Sequence, residues 1–134
     1  RDITSTEGKQ TRDFNYVTNL VDGLVLTVEK KSAALKQIIN LGSNQEIPIR
    51  ELVTKIHEYT NSKSKLKIGS LPYRPTEIWR MRASNDKAKE ILNWEPKVDF
   101  DTGLKMTIDW FKQYRDLFET KNSALTKLNN NAYK

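Results

Sequence analysis

The 134-residue sequence contains no cysteine and a single histidine, His57. Disulfides, thiolate-bound zinc and a cysteine nucleophile are therefore excluded, and one imidazole cannot form a multi-histidine metal site. The lack of cysteine suits a reducing compartment, and we expect a cytoplasmic protein. No apolar run approaches the roughly 20 residues that cross a bilayer, and the first seven residues lack the apolar core of a signal peptide.

Two further features are missing. The sequence has no initiator Met, so we expect it to begin inside a longer protein. Its five glycines do not form a Gly-x-Gly-x-x-Gly or Gly-x-x-Gly-x-x-Gly pattern, so a dinucleotide fingerprint is absent. The chain by itself is therefore not expected to hold a dinucleotide.

Positive charge is in excess and concentrated in one region. The net charge is +6, and residues 61–90 carry eight Lys or Arg against three Asp or Glu. Such a bias is typical of a solvated basic face, of a surface for nucleic acid, or of a site for phosphorylated ligands.

Apolar residues recur at helical spacing in three segments, which are predicted to be amphipathic helices. The segments are residues 17–28, 49–59 and 104–118. A shorter helix is predicted near residues 88–92. The expected N-cap or first-turn residues are, in chain order, Thr18 or Asn19, Pro48, Ser84 or Asn85, and Asp101.

Strand signals are sparse. The β-branched run at residues 38–41 ends in Gly-Ser-Asn and predicts a buried strand followed by a turn. Leu66 and Ile68 alternate with lysines, as in a half-exposed strand, whereas residues 1–10 look irregular. So few strands do not make a freestanding sheet. We expect an α/β portion of a larger protein over residues 1–120 and a disordered polar tail over 121–134.

Five motifs follow one another in the chain. They are Gly-Lys-Gln-Thr-Arg-Asp-Phe-Asn-Tyr-Val at 8–17, Ile-Asn-Leu-Gly-Ser-Asn-Gln-Glu-Ile at 39–47, Arg-Pro-Thr-Glu at 74–77, Asp-Lys-Ala-Lys-Glu-Ile-Leu-Asn-Trp-Glu-Pro at 86–96, and Gly-Leu-Lys-Met-Thr-Ile-Asp-Trp-Phe at 103–111. Each is weak alone. In this order they resemble the C-terminal half of extended short-chain dehydrogenase/reductases that act on nucleotide-linked sugars, the 4,6-dehydratases and 4-epimerases. The resemblance covers residues 8–114.

The resemblance implies a division of labour. An N-terminal Rossmann domain, absent from this chain, would hold NAD and a catalytic Tyr-x-x-x-Lys pair, and the parent enzyme would be a homodimer. Its chemistry would begin with hydride transfer from C4 of the sugar. Tyr59 and Lys63 match the catalytic pattern formally, but they follow the substrate motifs instead of preceding them. We therefore assign no catalytic residue to this chain.

The resemblance also implies three substrate-binding residues, Arg12, Arg74 and Glu77. The two guanidinium groups would clamp the diphosphate, whose oxygens match their planar fork, and Glu77 would bind the ribose hydroxyls. Many relatives have Asp at that last position. The alternatives are a surface Arg12 paired with Asp13, and a salt-bridged loop at residues 74–77.

Other conspicuous residues are interpreted as structural. Trp94 and Trp110 are predicted to pack in the core or between domains, and His57 to be partly exposed. Asp13 and Asp22 are expected to cap a helix or form a salt bridge. Arg80 and Arg82 alternate with Trp79 and Met81, which predicts a strand with one basic face and only a weaker case for ligand binding.

Two other functions stay open. The net charge permits a nucleic-acid-binding domain, although no helix-turn-helix, zinc-finger or RNP-like pattern occurs. A non-catalytic interaction module is the third interpretation. Binding to generic DNA that falls steeply with salt would favour the nucleic-acid interpretation.

Overall fold

The computed structural model describes residues 2–117, which contain four short strands and five helices. The strands are β1 (Asp2–Ser5), β2 (Thr11–Arg12), β3 (Ile47–Pro48) and β4 (Lys65–Ile68). The helices are α1 (Val17–Glu29), α2 (Lys31–Ala34), α3 (Ile49–Tyr59), α4 (Asp86–Leu92) and α5 (Phe100–Gln113). The class is α/β, as predicted, and the proposed tail at 121–134 lies outside the described residues.

The strands form two separate pairs. β1 is parallel to β4, with Asp2 opposite Lys65 and Ser5 opposite Ile68. β2 is antiparallel to β3, with Thr11 opposite Pro48. The expected strand around Leu66 and Ile68 is confirmed. The prediction of irregular structure at residues 1–10 is wrong for Asp2–Ser5 and holds for residues 6–10. β1 forms because a strand some 60 residues later pairs with it, and local sequence does not reveal such a partner.

The small core lies where α1, α2 and α4 meet. Ala88, Leu92 and Trp94 are fully buried, and Leu26, Ala34, Ile39, Leu41 and Ile91 pack around them. The indole nitrogen of Trp94 donates to the carbonyl of Asn19 at 2.9 Å, so this buried ring keeps its polar atom satisfied. The prediction that Trp94 is a core residue is confirmed.

The predicted strand at residues 38–41 is wrong. These residues run as irregular chain, with Ile38 86% exposed. A strand requires a neighbour for its backbone groups, and none of the described strands lies beside this segment. Leu41 is held instead by a side chain, because Asn15 Nδ2 donates to its carbonyl at 3.0 Å.

Helix α1 leaves its apolar face exposed. Val17, Leu20, Val21, Leu24, Val25 and Val28 are 37–75% exposed. The face that packs against this chain carries Asn19 and Gly23, which are buried, and Leu26, which contacts the core. A Cβ on Gly23 would lie 2.7 Å from the Leu41 side chain. The predicted helix is confirmed, but its apolar stripe does not face the core of residues 2–117.

The helix starts differ from the predictions by one to three residues. Tyr16, and not Thr18 or Asn19, is the N-cap of α1 and makes no side-chain capping bond. Asp99, and not Asp101, caps α5, where it accepts from the Thr102 amide at 2.9 Å.

The other two helix starts agree better with the predictions. Asn85 is the N-cap residue of α4, with the Ser84 hydroxyl accepting from the Asp86 amide. Pro48 lies immediately before α3. Such small shifts are ordinary at helix ends.

Helix α5 is packed against the chain as far as Ile108 and is exposed from residue 109 to its end. Ile108 is buried and Leu104 is half-buried, as predicted, whereas Trp110 and Phe111 are 46% and 50% exposed. Phe118, predicted on the same face, lies outside the described residues. Among residues 2–117, no helix has the length and apolarity needed to cross a bilayer.

Candidate functional site

Residues 9–12 and the loop of residues 73–80, called here the 73–80 loop, lie side by side. The Thr11 amide donates to the carbonyl of Trp79 at 2.8 Å. Arg12 Nη1 donates to the carbonyl of Ile78 at 2.7 Å. The first and third motifs of the sequence, separated by about 60 residues, are therefore neighbours in the fold.

Arg12 and Glu77, two of the three predicted site residues, form an ion pair with Nη2 and Oε1 3.1 Å apart. Their side chains are only 25% and 13% exposed. Arg12 also donates to two backbone carbonyls, those of Thr11 and Ile78. The partner of Arg12 is thus Glu77, and not Asp13 as in the alternative interpretation.

Arg74, the third predicted site residue, lies on the exposed turn that begins this loop. The Glu77 amide donates to the Arg74 carbonyl at 3.1 Å and closes the turn. Pro75 is the second residue of this turn, and its ring fixes φ there. Within residues 2–117 the Arg74 guanidinium makes no ion pair or hydrogen bond, so its donors face solvent. The turn therefore places an unneutralised cation near the paired Arg12 and Glu77.

The base of the loop is closed by aromatic contact. The ring centroids of Tyr73 and Trp79 are 4.6 Å apart. The Tyr73 hydroxyl accepts from the Lys9 amide at 2.9 Å. Both ends of the loop are thus attached to residues 9–12, and Arg74 lies between the two attachments.

The carboxylate of Asp13 joins three segments of chain. It accepts from the amide of Ser43 at 2.9 Å, the hydroxyl of Ser43 at 2.5 Å, the amide of Asn44 at 3.3 Å and the amide of Ala83 at 3.2 Å. A Cβ at Gly42 would lie 2.6 Å from the Ala83 Cβ, so this junction requires glycine. Asp13 neither caps a helix nor forms a salt bridge, which corrects the prediction, whereas Asp22 pairs with Lys97 at 3.0 Å as expected.

Glu46 and Arg80 form a second Arg–carboxylate pair beside the first. Arg80 Nε and Nη2 donate to the two oxygens of Glu46 at 2.9 and 2.7 Å, and the Thr11 hydroxyl donates to Glu46 at 3.2 Å. The hydrogen bond from Arg80 holds the pKa of Glu46 below its ordinary value, and Glu46 raises the pKa of Arg80 in return.

Sequence reasoning missed Glu46 altogether, since no local pattern connects it to Arg80, 34 residues away. The predicted basic strand at 79–82 is also wrong, because these residues form no strand.

A cavity of about 510 Å³ opens between the start of α1 and α5. Its walls include Tyr16, Val17, Leu52, Phe100, Leu104 and Trp110. Apolar and aromatic side chains dominate, so this cavity does not complement a diphosphate, which needs cations and N–H donors.

Other groups that might do chemistry have structural partners. The hydroxyl of Tyr59 donates to Asp101 at 3.2 Å, so its partner is a carboxylate on α5 and not Lys63. The His57 ring contacts the Ser64 carbonyl at 2.7 Å and is partly exposed, as predicted. Among residues 2–117 there is no group of three or more His, Asp or Glu side chains arranged to hold a metal ion.

A family model described as GDP-mannose 4,6 dehydratase matches residues 2–107. The chain belongs to this family. The chain is also 37% identical over 124 residues to the dTDP-D-glucose 4,6-dehydratase of Bos taurus, covering 88% of the chain and 34% of the relative. The resemblance to nucleotide-sugar epimerases and dehydratases is thereby confirmed.

Solved structures agree with the family assignment. The structure of the epimerase Mth375 from Methanothermobacter thermautotrophicus matches with a TM-score of 0.81 and 31% identity, covering 90% of this chain and 35% of that one. The Bordetella bronchiseptica enzyme WbmF, solved in complex with NADH, matches with a TM-score of 0.71 and 31% identity, covering 87% and 33%. This chain therefore spans about a third of the length of the relatives it matches.

Proposed function

We propose that this chain is the substrate-binding portion of an NAD-dependent nucleotide-sugar 4,6-dehydratase or 4-epimerase. In this proposal Arg12 and Arg74 bind the diphosphate and Glu77 binds the ribose hydroxyls. The observation that carries it is the exposed, unpaired Arg74 on a turn attached directly to the Arg12–Glu77 pair. The named relatives, a dehydratase and an epimerase, support both reactions equally.

The Arg12–Glu77 pair suits a nucleoside diphosphate on chemical grounds. Arg12 uses Nη1 and one donor of Nη2 within the chain, which leaves part of its five-donor fork for a ligand oxygen. Glu77 engages Arg12 through Oε1, and its second oxygen can accept from a hydroxyl. A diphosphate next to a ribose would present an anion and hydroxyl donors to these groups.

The cofactor belongs to another part of the protein in this proposal. The chain has no glycine-rich fingerprint, so its residues do not fit a dinucleotide. NAD would be held by a Rossmann domain outside this chain, as the NADH complex of WbmF supports. Binding energy from the remote nucleotide would position the sugar for the reaction. We also propose that the whole enzyme is a cytoplasmic homodimer.

Calorimetric titration tests the proposal. UDP, dTDP and GDP are added separately to the longer protein that carries this sequence, and at least one should bind, with an affinity that falls in Arg74→Ala. Matched titrations of NAD into the 134-residue chain alone should show no micromolar binding. Failure of all three nucleotides to bind, with salt-sensitive binding to generic DNA, would replace this proposal by the nucleic-acid interpretation.

A further inference from the structure

We infer that Glu46 and Arg80 are positioning residues, which hold the 73–80 loop so that Arg74 and Glu77 present their side chains to one ligand. This inference rests on the proposed function. Neither residue belongs to the substrate-binding set of Arg12, Arg74 and Glu77. Their role follows from where each end of the loop is attached.

The pair connects the end of the loop to a strand. Glu46 immediately precedes β3, which is fixed by its antiparallel pairing with β2. Arg80 is the last residue of the loop, and its Nε and Nη2 approach Glu46 in a two-pronged arrangement at 2.9 and 2.7 Å. Such geometry fixes direction as well as distance. The Thr11 hydroxyl, at 3.2 Å from Glu46, ties the same carboxylate to β2.

The other end of the loop has its own attachment. Tyr73 accepts from the Lys9 amide and contacts Trp79. Arg74 and the turn that closes on Glu77 lie between these two attachments and make few contacts of their own. Without the bonds from Arg80 to Glu46, the second half of the loop would keep its contacts to Arg12 and Thr11 and the Trp79–Tyr73 ring contact, but its last residue would lose its attachment to β3. The binding groups would then sample more orientations, and a ligand would have to order them.

Arg80 itself is a poor candidate for direct phosphate contact. Two of its three nitrogens donate to Glu46, and the carboxylate neutralises its charge. The side chain of Arg80 is 74% exposed, whereas that of Glu46 is 22% exposed. An ion pair so open to water contributes little to overall stability. Its effect should therefore appear in ligand affinity and loop order, with little change in melting temperature.

The test uses the longer protein that carries this sequence, with Glu46→Gln, Arg80→Ala, the double variant, and the exchanged pair Glu46→Arg with Arg80→Glu. UDP, dTDP and GDP are titrated separately. Each single change should raise the dissociation constant of the bound nucleotide roughly three- to fivefold, the size an exposed ion pair allows. The double variant should bind the nucleotide no more weakly than the single variant with the lower affinity. The exchanged pair should recover at least half of the lost affinity.

Asp22→Asn is the matched control, because Asp22 and Lys97 form another exposed ion pair, 3.0 Å apart, that contacts no residue of the 73–80 loop. It should leave the dissociation constant unchanged. Weaker binding in Arg80→Ala but not in Glu46→Gln would make Arg80 a direct ligand contact and overturn the inference. Unchanged binding in both single variants would also overturn it.

Hydrogen exchange without ligand separates this inference from the proposed function. The amides of Thr11 and Glu77, which bond to the Trp79 and Arg74 carbonyls, should exchange at least about threefold faster in either single variant. If the wild type binds no nucleotide, the proposed function fails. The role of Glu46 and Arg80 in holding the loop would then be tested by hydrogen exchange alone. Unchanged exchange rates in both single variants would refute that role.

Discussion

Arg12 and Glu77 lie 3.1 Å apart, as an ion pair that is three-quarters or more shielded from water. From the sequence, each of them is expected to make a separate contact to the ligand. The structure shows that each is also the other's partner, so neither can be replaced without changing the surroundings of the other. Arg74, three residues before Glu77, has no such constraint. The two arginines should consequently respond differently to mutation.

Arg12→Ala and Arg74→Ala should each raise the dissociation constant of a nucleoside diphosphate by about tenfold to a hundredfold, the value of one charge-assisted contact. Only Arg12→Ala should also lower the melting temperature, because it leaves the partly buried Glu77 carboxylate and the Ile78 carbonyl without their donor. Titration calorimetry and thermal melts of both variants measure the two effects separately.

Lysine substitutions provide the control for the two alanine variants. Arg12→Lys and Arg74→Lys should recover only part of the affinity, since an ammonium keeps the charge and loses the fork. NAD affinity should stay nearly unchanged in all four variants. Wild-type affinity in both alanine variants would remove Arg12 and Arg74 from the site.

Asp13 should matter for stability more than the sequence analysis expected. Asp13→Ala removes an acceptor shared by Ser43, Asn44 and Ala83 and leaves partly buried amides unpaired, at an expected loss of about 2–4 kcal/mol in the free energy of unfolding. Asp13→Asn keeps one oxygen and should lose less. Denaturant titration compares the two. Equal stability of the alanine variant and the wild type would contradict the bonding described here.

The sequence predicted the parts of this fold that depend on local pattern. The helices at α1, α3 and α5 follow apolar spacing, and β4 follows the alternation around Leu66. It failed at β1 and at residues 38–41, because strand formation depends on a partner distant in the chain. For the site, Arg12, Arg74 and Glu77 came from motif resemblance. The Glu46–Arg80 pair could not be found, since only the folded chain brings those residues together.

Gly8 and Gly69 share a backbone conformation that strains other residues, but they differ in how close the neighbouring atoms lie. Both have positive φ, +70° and +81°. A Cβ on Gly8 would lie 2.6 Å from the Arg50 amide nitrogen, whereas on Gly69 the nearest atom is Glu7 Cγ at 3.6 Å. Gly69→Ala should therefore lower the free energy of unfolding only by the strain of holding alanine at a positive φ, about 1–2 kcal/mol. Gly8→Ala adds a clash with main chain and should destabilise clearly more in urea unfolding. Equal losses would show that the Gly8 site can relax.

The 134-residue chain, produced alone, should self-associate or be marginally stable. The exposed apolar residues of α1, with Val28 75% exposed, form the kind of patch that drives association. We propose that the Rossmann domain covers this face in the whole protein. Sedimentation velocity should show association that Val21→Lys and Val28→Lys together reduce, while Thr18→Lys, also on an exposed position of α1, does not. A monodisperse wild-type monomer with a sharp, cooperative melt would count against this prediction.

Helices α3 and α5 are joined by a charged contact that predicts how stability changes with pH. Lys55 Nζ lies 2.6 Å from Asp101 Oδ1 and 3.2 Å from Glu51 Oε1, and Tyr59 donates to the same Asp101 oxygen. The hydrogen bond from Lys55 holds the pKa of Asp101 below its ordinary 3.8. The hydrogen bond to Asp101 raises the pKa of Lys55 above its ordinary 10.5.

The direction of each pKa change fixes the pH window. A carboxyl with a lowered pKa stabilises the folded state above its ordinary value, and this contribution disappears as the pH falls through the lowered pKa. An amine with a raised pKa contributes fully below its ordinary value and loses the contribution as the pH rises past the raised pKa. The contact should therefore act at full strength between about pH 4 and pH 10.

Asp101→Asn should consequently lower the melting temperature at pH 7, and this loss should shrink as the pH falls through the lowered pKa of Asp101. The loss at pH 7 should be about 1 kcal/mol or less, because water screens a contact in which Asp101 is 47% exposed. Lys55→Met should give a similar loss. The double variant should lose less than the sum of the two, since both single changes break one contact. A loss from Asp101→Asn that is equally large at pH 2 and pH 7 would instead assign the effect to the start of α5, where Asp101 lies in the first turn.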